Sequence, residues 1–251
     1  MSEIFSPFKS KQKLIEIGIC VLIFIGMAVP FKVMVLIKGF TEVRPVNIMP
    51  VVAGLLLGPA GAWGCAIGNL IADLFGTFSK ASILGFIGNF FAAYLPYKLW
   101  HIKGRRETPN VKSNKNLLKY CLVSLGSAIT TALFIACGLD ILFNMWIPQV
   151  FWIVFLNDLG FPLVLGLPVL IVLTSEDSNL QITLPEKESS IQALAKKSLF
   201  SLKSILLWML LISEVLLFVM ITLGMRMTAN VLTIIIGGVF VISLFSFMII
   251  D

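Results

Sequence analysis

Apolar runs of bilayer-spanning character recur along this chain, separated by short polar loops. They cover Leu14 to about Ile37, Val46 to Leu57, Pro59 to about Phe75, Ser82 to Trp100, Leu117 to about Leu139, Pro148 to Leu173, Ser204 to Leu223 and Asn230 to Ile250. In hydrocarbon every backbone N–H and C=O must find a partner within the protein, so runs of this length and spacing predict helices. Composition agrees: 58% hydrophobic and 13% charged residues, against about 25% charged in soluble domains, exclude an ordinary soluble fold. The expected architecture is therefore all-α, a polytopic membrane helix bundle. Six segments form a core in residues 1–175, a polar cytoplasmic linker occupies 176–203, and two additional transmembrane helices fill 204–251. The first run is too long for a signal-peptide core and lacks a small-residue cleavage site, which predicts a retained helix.

Two features break the runs. Pro30 and Lys32 kink or end the first one early. Gly58-Pro59 divides the next stretch into two pieces, each short of the ~20 residues needed per crossing, so two short tilted helices joined by a tight turn are predicted. The sixth run is interrupted by Pro162 and Pro168.

Charge sets the orientation. With a cytoplasmic amino terminus and alternating segments, fourteen Lys and Arg fall on the inner side, and only Lys38, Arg44, Lys80 and Arg226 on the outer, with Lys32 inside a helix. Positively charged residues collect on the cytoplasmic side of membrane proteins. A plasma-membrane protein with both termini in the cytoplasm follows. The net charge of +6 is then a topology signal rather than a nucleic-acid patch.

The sequence holds one histidine, His101, and four cysteines, Cys20, Cys65, Cys121 and Cys137, none in a CxxC pair. That supply of ligands and bases argues against a zinc site, a Ser-His-Asp triad or an enzyme of any kind, and no metal is expected. No GxxxxGK[ST] phosphate loop occurs, so no cofactor is expected here and ATP hydrolysis would belong to partner subunits.

What remains unexplained by lipid is a set of polar residues inside the apolar runs, each costly in hydrocarbon. At a rise of 1.5 Å per residue, Asn69, Asn89 and Asn157 all lie roughly 10–14 Å below the outer surface. Asp73 stands one turn above Asn69, on the same face, and Asp158 adjoins Asn157. Arg44 stands in the outer loop just before Pro45, a counter-ion for Asp73 or Asp158, and Asn47 falls at the start of the second run. Trp152, one turn inside the sixth segment, could stack on a planar ligand. These eight residues are the candidate substrate-binding set; asparagines that merely tie helices together are the competing reading. Ala60, Gly64, Gly68 and Ala72 form a smooth stripe at four-residue spacing, suited to packing by another helix of the chain or to docking a partner subunit.

Arg44-Pro45, Pro50, the run Gly54-Leu55-Leu56-Leu57-Gly58-Pro59-Ala60-Gly61-Ala62, Gly68-Asn69 and Asp73 together resemble the substrate-binding (S) component of energy-coupling factor transporters. Those proteins import vitamins and micronutrients, and the queuosine-precursor type is the nearest flavour. The resemblance covers about residues 10–175. It implies a six-helix bundle that captures a small-molecule solute from outside. An energy-coupling transmembrane subunit with two ATPases would then topple it to release the solute inward. Where many such components carry Ala-xxx-Ala in the first helix, this chain has Ile17-Gly18-Ile19-Cys20-Val21-Leu22, and its last two helices are additional. A membrane sensor or anchoring domain that binds a small signal without transporting it is the alternative; an enzyme acting on lipid would need a DxxD, HExxH or histidine cluster that the sequence lacks.

Overall fold

The computed structural model describes residues 2–250 apart from 38–40, 77, 103–105, 177, 179, 186–189 and 229. Lys38, Lys103, Arg105 and Lys187, which enter the charge count, lie outside the described residues. Eight helical segments follow the chain: α1 (Lys11–Ala28), α2 (Ile48–Leu57), α3 (Pro59–Asp73), α4 (Ala81–Trp100), α5 (Asn114–Phe143), α6 (Pro148–Leu173), α7 (Ser190–Thr222) and α8 (Val231–Ile249). Five of them, α1, α5, α6, α8 and the Leu202–Thr222 part of α7, are long and apolar enough to cross a membrane.

Local chemistry sets the ends. Ser10, Ser113 and Asn230 cap α1, α5 and α8 by accepting the N–H of the third residue onward, which satisfies one of the orphan donors of a helix start. Asn144, left-handed at φ 54°, ends α5. As Pro30 predicts, α1 stops at Ala28 and passes through a 3₁₀ turn, Val29–Phe31. Beyond it Val35–Ile37 and Thr41–Glu42 pair as a short antiparallel ribbon, an element the hydropathy pattern did not reveal. Gly58 makes the turn between α2 and α3 at φ +56° and ψ −130°, a conformation glycine adopts without steric cost.

Two boundaries differ from expectation. The prolines do not break α6: the chain widens into a single π-type turn at Pro162–Gly166 and continues to Leu173. The carbonyl of Pro162 accepts the Leu167 N–H five residues on and also the Tyr120 hydroxyl at 2.8 Å, which ties the wide turn to α5. The predicted polar linker is helical from Ser190 onward, so α7 starts well before its apolar part.

The helices run up and down in turn. One end of the bundle carries Lys11, Lys13, Lys98, Lys112, Lys115 and Lys119, and is called the basic end below; the other holds the starts of α2, α4, α6 and α8. The core is built from α1, α3, α4 and α5, with Phe24, Tyr94, Trp100, Tyr120 and Phe151 wholly buried. Between helices in a membrane, close van der Waals packing replaces the hydrophobic effect as the driving force. The stripe on α3 achieves it against α1: a Cβ on Gly64 would lie 2.3 Å from the Cys20 Cβ, and one on Gly68 2.7 Å from the Phe24 Cβ. Ala60, Gly64, Gly68 and Ala72 are all buried inside the chain. Of the two readings its spacing allowed, the stripe packs within the chain, with α1 lying against Gly64 and Gly68.

At the basic end the amino-terminal turns, Ser2–Phe5 and Ser6–Lys9, fold back beneath α3 and α4. The Tyr94 and Tyr97 hydroxyls donate to the Glu3 carboxylate at 2.9 and 2.8 Å, and the Trp63 indole donates to the Ile4 carbonyl at 2.9 Å.

Candidate functional site

At the end opposite the basic one, where α2, α4 and α6 begin and α3 and α5 finish, the bundle encloses a cavity. Arg44, Asn47, Asp73, Asn89, Asn157 and Asp158 line it, with Ser79, Ser82, Gly85 and Thr131. Ile135, Leu139, Val150 and Val154 supply an apolar wall. Six of the eight residues singled out from the sequence thus meet around one space.

The rim is set by the 3₁₀ turn Pro45–Asn47. Pro45 fixes the turn, and the Asn47 N–H bonds back to the Arg44 carbonyl at 2.9 Å, so both side chains stand over the same opening. From there Arg44 Nη2 donates to Asn69 Oδ1, and the Arg44 backbone N–H to Asn157 Oδ1 at 3.4 Å. Asn47 Nδ2 donates to Asp158 Oδ1. Three asparagines and an aspartate from α3, α6 and the rim turn are thereby locked into one network. Asn89 instead donates Nδ2 to the Gly85 carbonyl one turn earlier in α4, at 2.8 Å.

Asn69 does not line the cavity; it is the buried bracket behind Arg44, with no exposed surface. Gly85 makes room for it, since a Cβ there would sit 2.9 Å from Asn69 Nδ2. Asp73 pairs with a cation that the sequence reading did not assign to it, Lys32, at 2.9 Å with both side chains under one-tenth exposed. The chain after α1 turns back at Val29–Phe31, and that places Lys32 beside the end of α3.

Trp152 lies elsewhere. Its ring packs on Phe151, Phe155 and Phe218, on the side of α6 that meets α7, and does not line the cavity. One residue along a helix turns the side chain by about 100°, and Val150 and Val154 take the inward face in its place.

Sequence reasoning missed Lys32, Ser79, Ser82, Gly85 and Thr131. A signal existed for several: Ser82, Gly85 and Asn89 recur at helical spacing on α4, as do Thr131, Ile135 and Leu139 on α5. Asn69 Nδ2 and the Thr131 hydroxyl are among the buried polar atoms that have no hydrogen-bond partner within the described residues. Leaving such a group unpaired costs about 1–3 kcal/mol. The formal charges of Lys32, Arg44, Asp73 and Asp158 balance. The cavity is thus distinguished by hydrogen-bonding capacity rather than net charge, as suits a small polar molecule. His101, far from this space, bonds through its two ring nitrogens to the Tyr97 and Glu107 carbonyls at 2.9 and 3.2 Å.

Comparison with curated proteins and with solved structures returned no match. Among protein families, the profile of the QueT transporter matches residues 14–175. That match covers more than half of the chain and takes in every element that lines the cavity. The chain belongs to the QueT transporter family, and is a multi-pass membrane protein of the substrate-binding (S) type found in energy-coupling factor transporters.

Proposed function

We propose that this protein is the membrane-embedded substrate-binding subunit of an ATP-driven importer, and that it captures a queuosine precursor from outside in the cavity between α3, α4, α5 and α6. The observation that carries this reading is the convergence of Arg44, Asn47, Asp73, Asn89, Asn157 and Asp158 on one space at one end of the bundle. Family membership supports the substrate class. The concentration of lysines at the opposite end supports an outward-facing cavity, by the preference of positive charge for the cytoplasmic side.

In this reading, Arg44 and Asn47 hold the mouth while Asn89, Asn157 and Asp158 hydrogen-bond the ligand. The unpartnered Thr131 hydroxyl, which lines the cavity, gains a partner as the ligand settles. The apolar wall of Ile135, Leu139, Val150 and Val154 excludes water from the other face. ATP is hydrolysed on two partner ATPases joined to a coupling transmembrane subunit, since the chain carries no phosphate loop of its own.

Uptake of a radiolabelled queuosine precursor by cells that express the protein with an energy-coupling module tests this. Asn89→Leu and Asp158→Ala should each cut uptake by about tenfold or more, since a lost hydrogen bond to a charged or buried partner is worth about 1.5–3 kcal/mol. Unchanged uptake in both variants would remove the cavity from the transport route. Precursor binding without any uptake would favour the sensing alternative.

A further inference from the structure

The hairpin of α7 and α8 lies beyond the residues matched by the family profile, yet it is bonded directly to the helices that wall the cavity. On α5, Thr131 and Leu139 line the cavity. Their immediate neighbours, Thr130 and Asp140, are each held by the hairpin. The same alternation occurs on α6, where Val150 faces the cavity and Phe151 packs edge-on against Phe218 of α7. Adjacent residues on a helix point about 100° apart, so each wall residue has a neighbour clamped from behind.

The clamp on Asp140 is complete. This carboxylate has no exposed surface and accepts from Arg226 Nη2 at 2.8 Å and from Nε at 3.3 Å. It also accepts from the backbone N–H groups of Met227 and Thr228, at 2.8 and 3.3 Å, and lies 3.5 Å from the Thr228 hydroxyl. All of these belong to the turn between α7 and α8. A carboxylate serving several donors at once is held in one orientation.

The second clamp lies inside the bilayer span. The Thr130 hydroxyl is 2.8 Å from the Gly126 carbonyl and 2.5 Å from Glu214 Oε1. The Thr130 hydroxyl thus serves both the Gly126 carbonyl of its own helix and the Glu214 carboxyl group of α7, which is only 4% exposed.

We propose that the C-terminal hairpin is the rear wall of the binding cavity, fixing the rotation of α5, and that Asp140, Arg226 and Glu214 are positioning residues for the site. It bears on affinity only if the cavity binds the ligand as proposed above; the mechanical part does not depend on that. The hairpin sets where Thr131 and Leu139 stand, and through them the width of the cavity.

The test uses the purified full-length protein with Cys121, the one partly exposed native thiol among the four, replaced by Ala. Single reporter cysteines are introduced as Thr131→Cys, Leu139→Cys and, on α4 as a reference, Ser82→Cys. Their rates of reaction with a charged methanethiosulfonate are compared with and without Arg226→Ala or Glu214→Leu. Coupling of 0.5–2 kcal/mol is typical of such relays. Arg226→Ala should therefore accelerate reaction at 139, and Glu214→Leu at 131, by about threefold to tenfold. Ser82→Cys should change by less than about twofold. Glu214→Gln, which keeps a side-chain oxygen to accept from Thr130, should restore the parent rate. Equal acceleration at all three positions would mean general loosening and would overturn the proposal, as would no change at 131 and 139. Binding of labelled queuosine precursor to the same variants is read alongside. If the parent protein does not bind it, the functional reading fails while the thiol rates still decide the role of the hairpin.

Discussion

Lys32 and Asp73 form an ion pair of 2.9 Å in which both side chains are buried. Two charges removed from water gain from each other only while both are present, and removing one partner of such a pair costs about 3–5 kcal/mol. Lys32→Met should therefore lower the melting temperature in detergent sharply, whereas Lys32→Met combined with Asp73→Leu should recover at least half of the loss. Additive losses would show that the pair is not coupled. The cation that Asp73 takes was not legible in the sequence, where Arg44 stood nearest as a rim residue. A turn at Val29–Phe31 decides it, by carrying Lys32 to the end of α3. The asparagines were readable for a simpler reason: hydrocarbon makes each an exception, and helical rise alone puts Asn89 and Asn157 at the depth where the cavity lies.

Helix α3 depends on what it lacks. With Cys20 Cβ only 2.3 Å from where a Gly64 Cβ would stand, any larger side chain pushes α1 away. Overpacking of this kind costs about 1–3 kcal/mol, and more where backbone must shift. Gly64→Val should destabilise the isolated protein by at least that amount, measured by thermal melting with no partner present. A stable Gly64→Val chain would show that the stripe is not used internally. Spacing revealed that some helix would pack there, but not that the helix would be α1, because a smooth stripe fits a neighbour in the same chain and one in a partner equally well. Trp152 shows the same limit on α6. Spacing does not tell which way its ring faces, since rotation about a helix axis is set by packing, here against Phe218.

Across the whole molecule the cavity stands at the end opposite Lys11, Lys13, Lys98, Lys112, Lys115 and Lys119, and the proposed orientation puts the cavity outside. A cysteine introduced as Lys80→Cys, at the cavity end, should react with an impermeant maleimide in intact cells. One introduced as Thr108→Cys, in the loop after α4, should react only after permeabilisation. The reverse pattern would invert the topology and with it the direction of capture. Both termini also meet at the basic end, where Lys98 donates to the Ile250 carbonyl at 2.6 Å and lies 3.7 Å from the Glu3 carboxylate. The chain by itself determined that it is a membrane helix bundle and which polar residues interrupt its apolar runs, because hydropathy is a local property that lipid enforces. Which faces the helices present to one another was left to tertiary packing. The partner of Asp73, the cover over the α3 stripe, the place of Thr131 in the wall and the bonding of the C-terminal hairpin to α5 all depend on contacts between residues far apart in sequence, and no period along the chain encodes those.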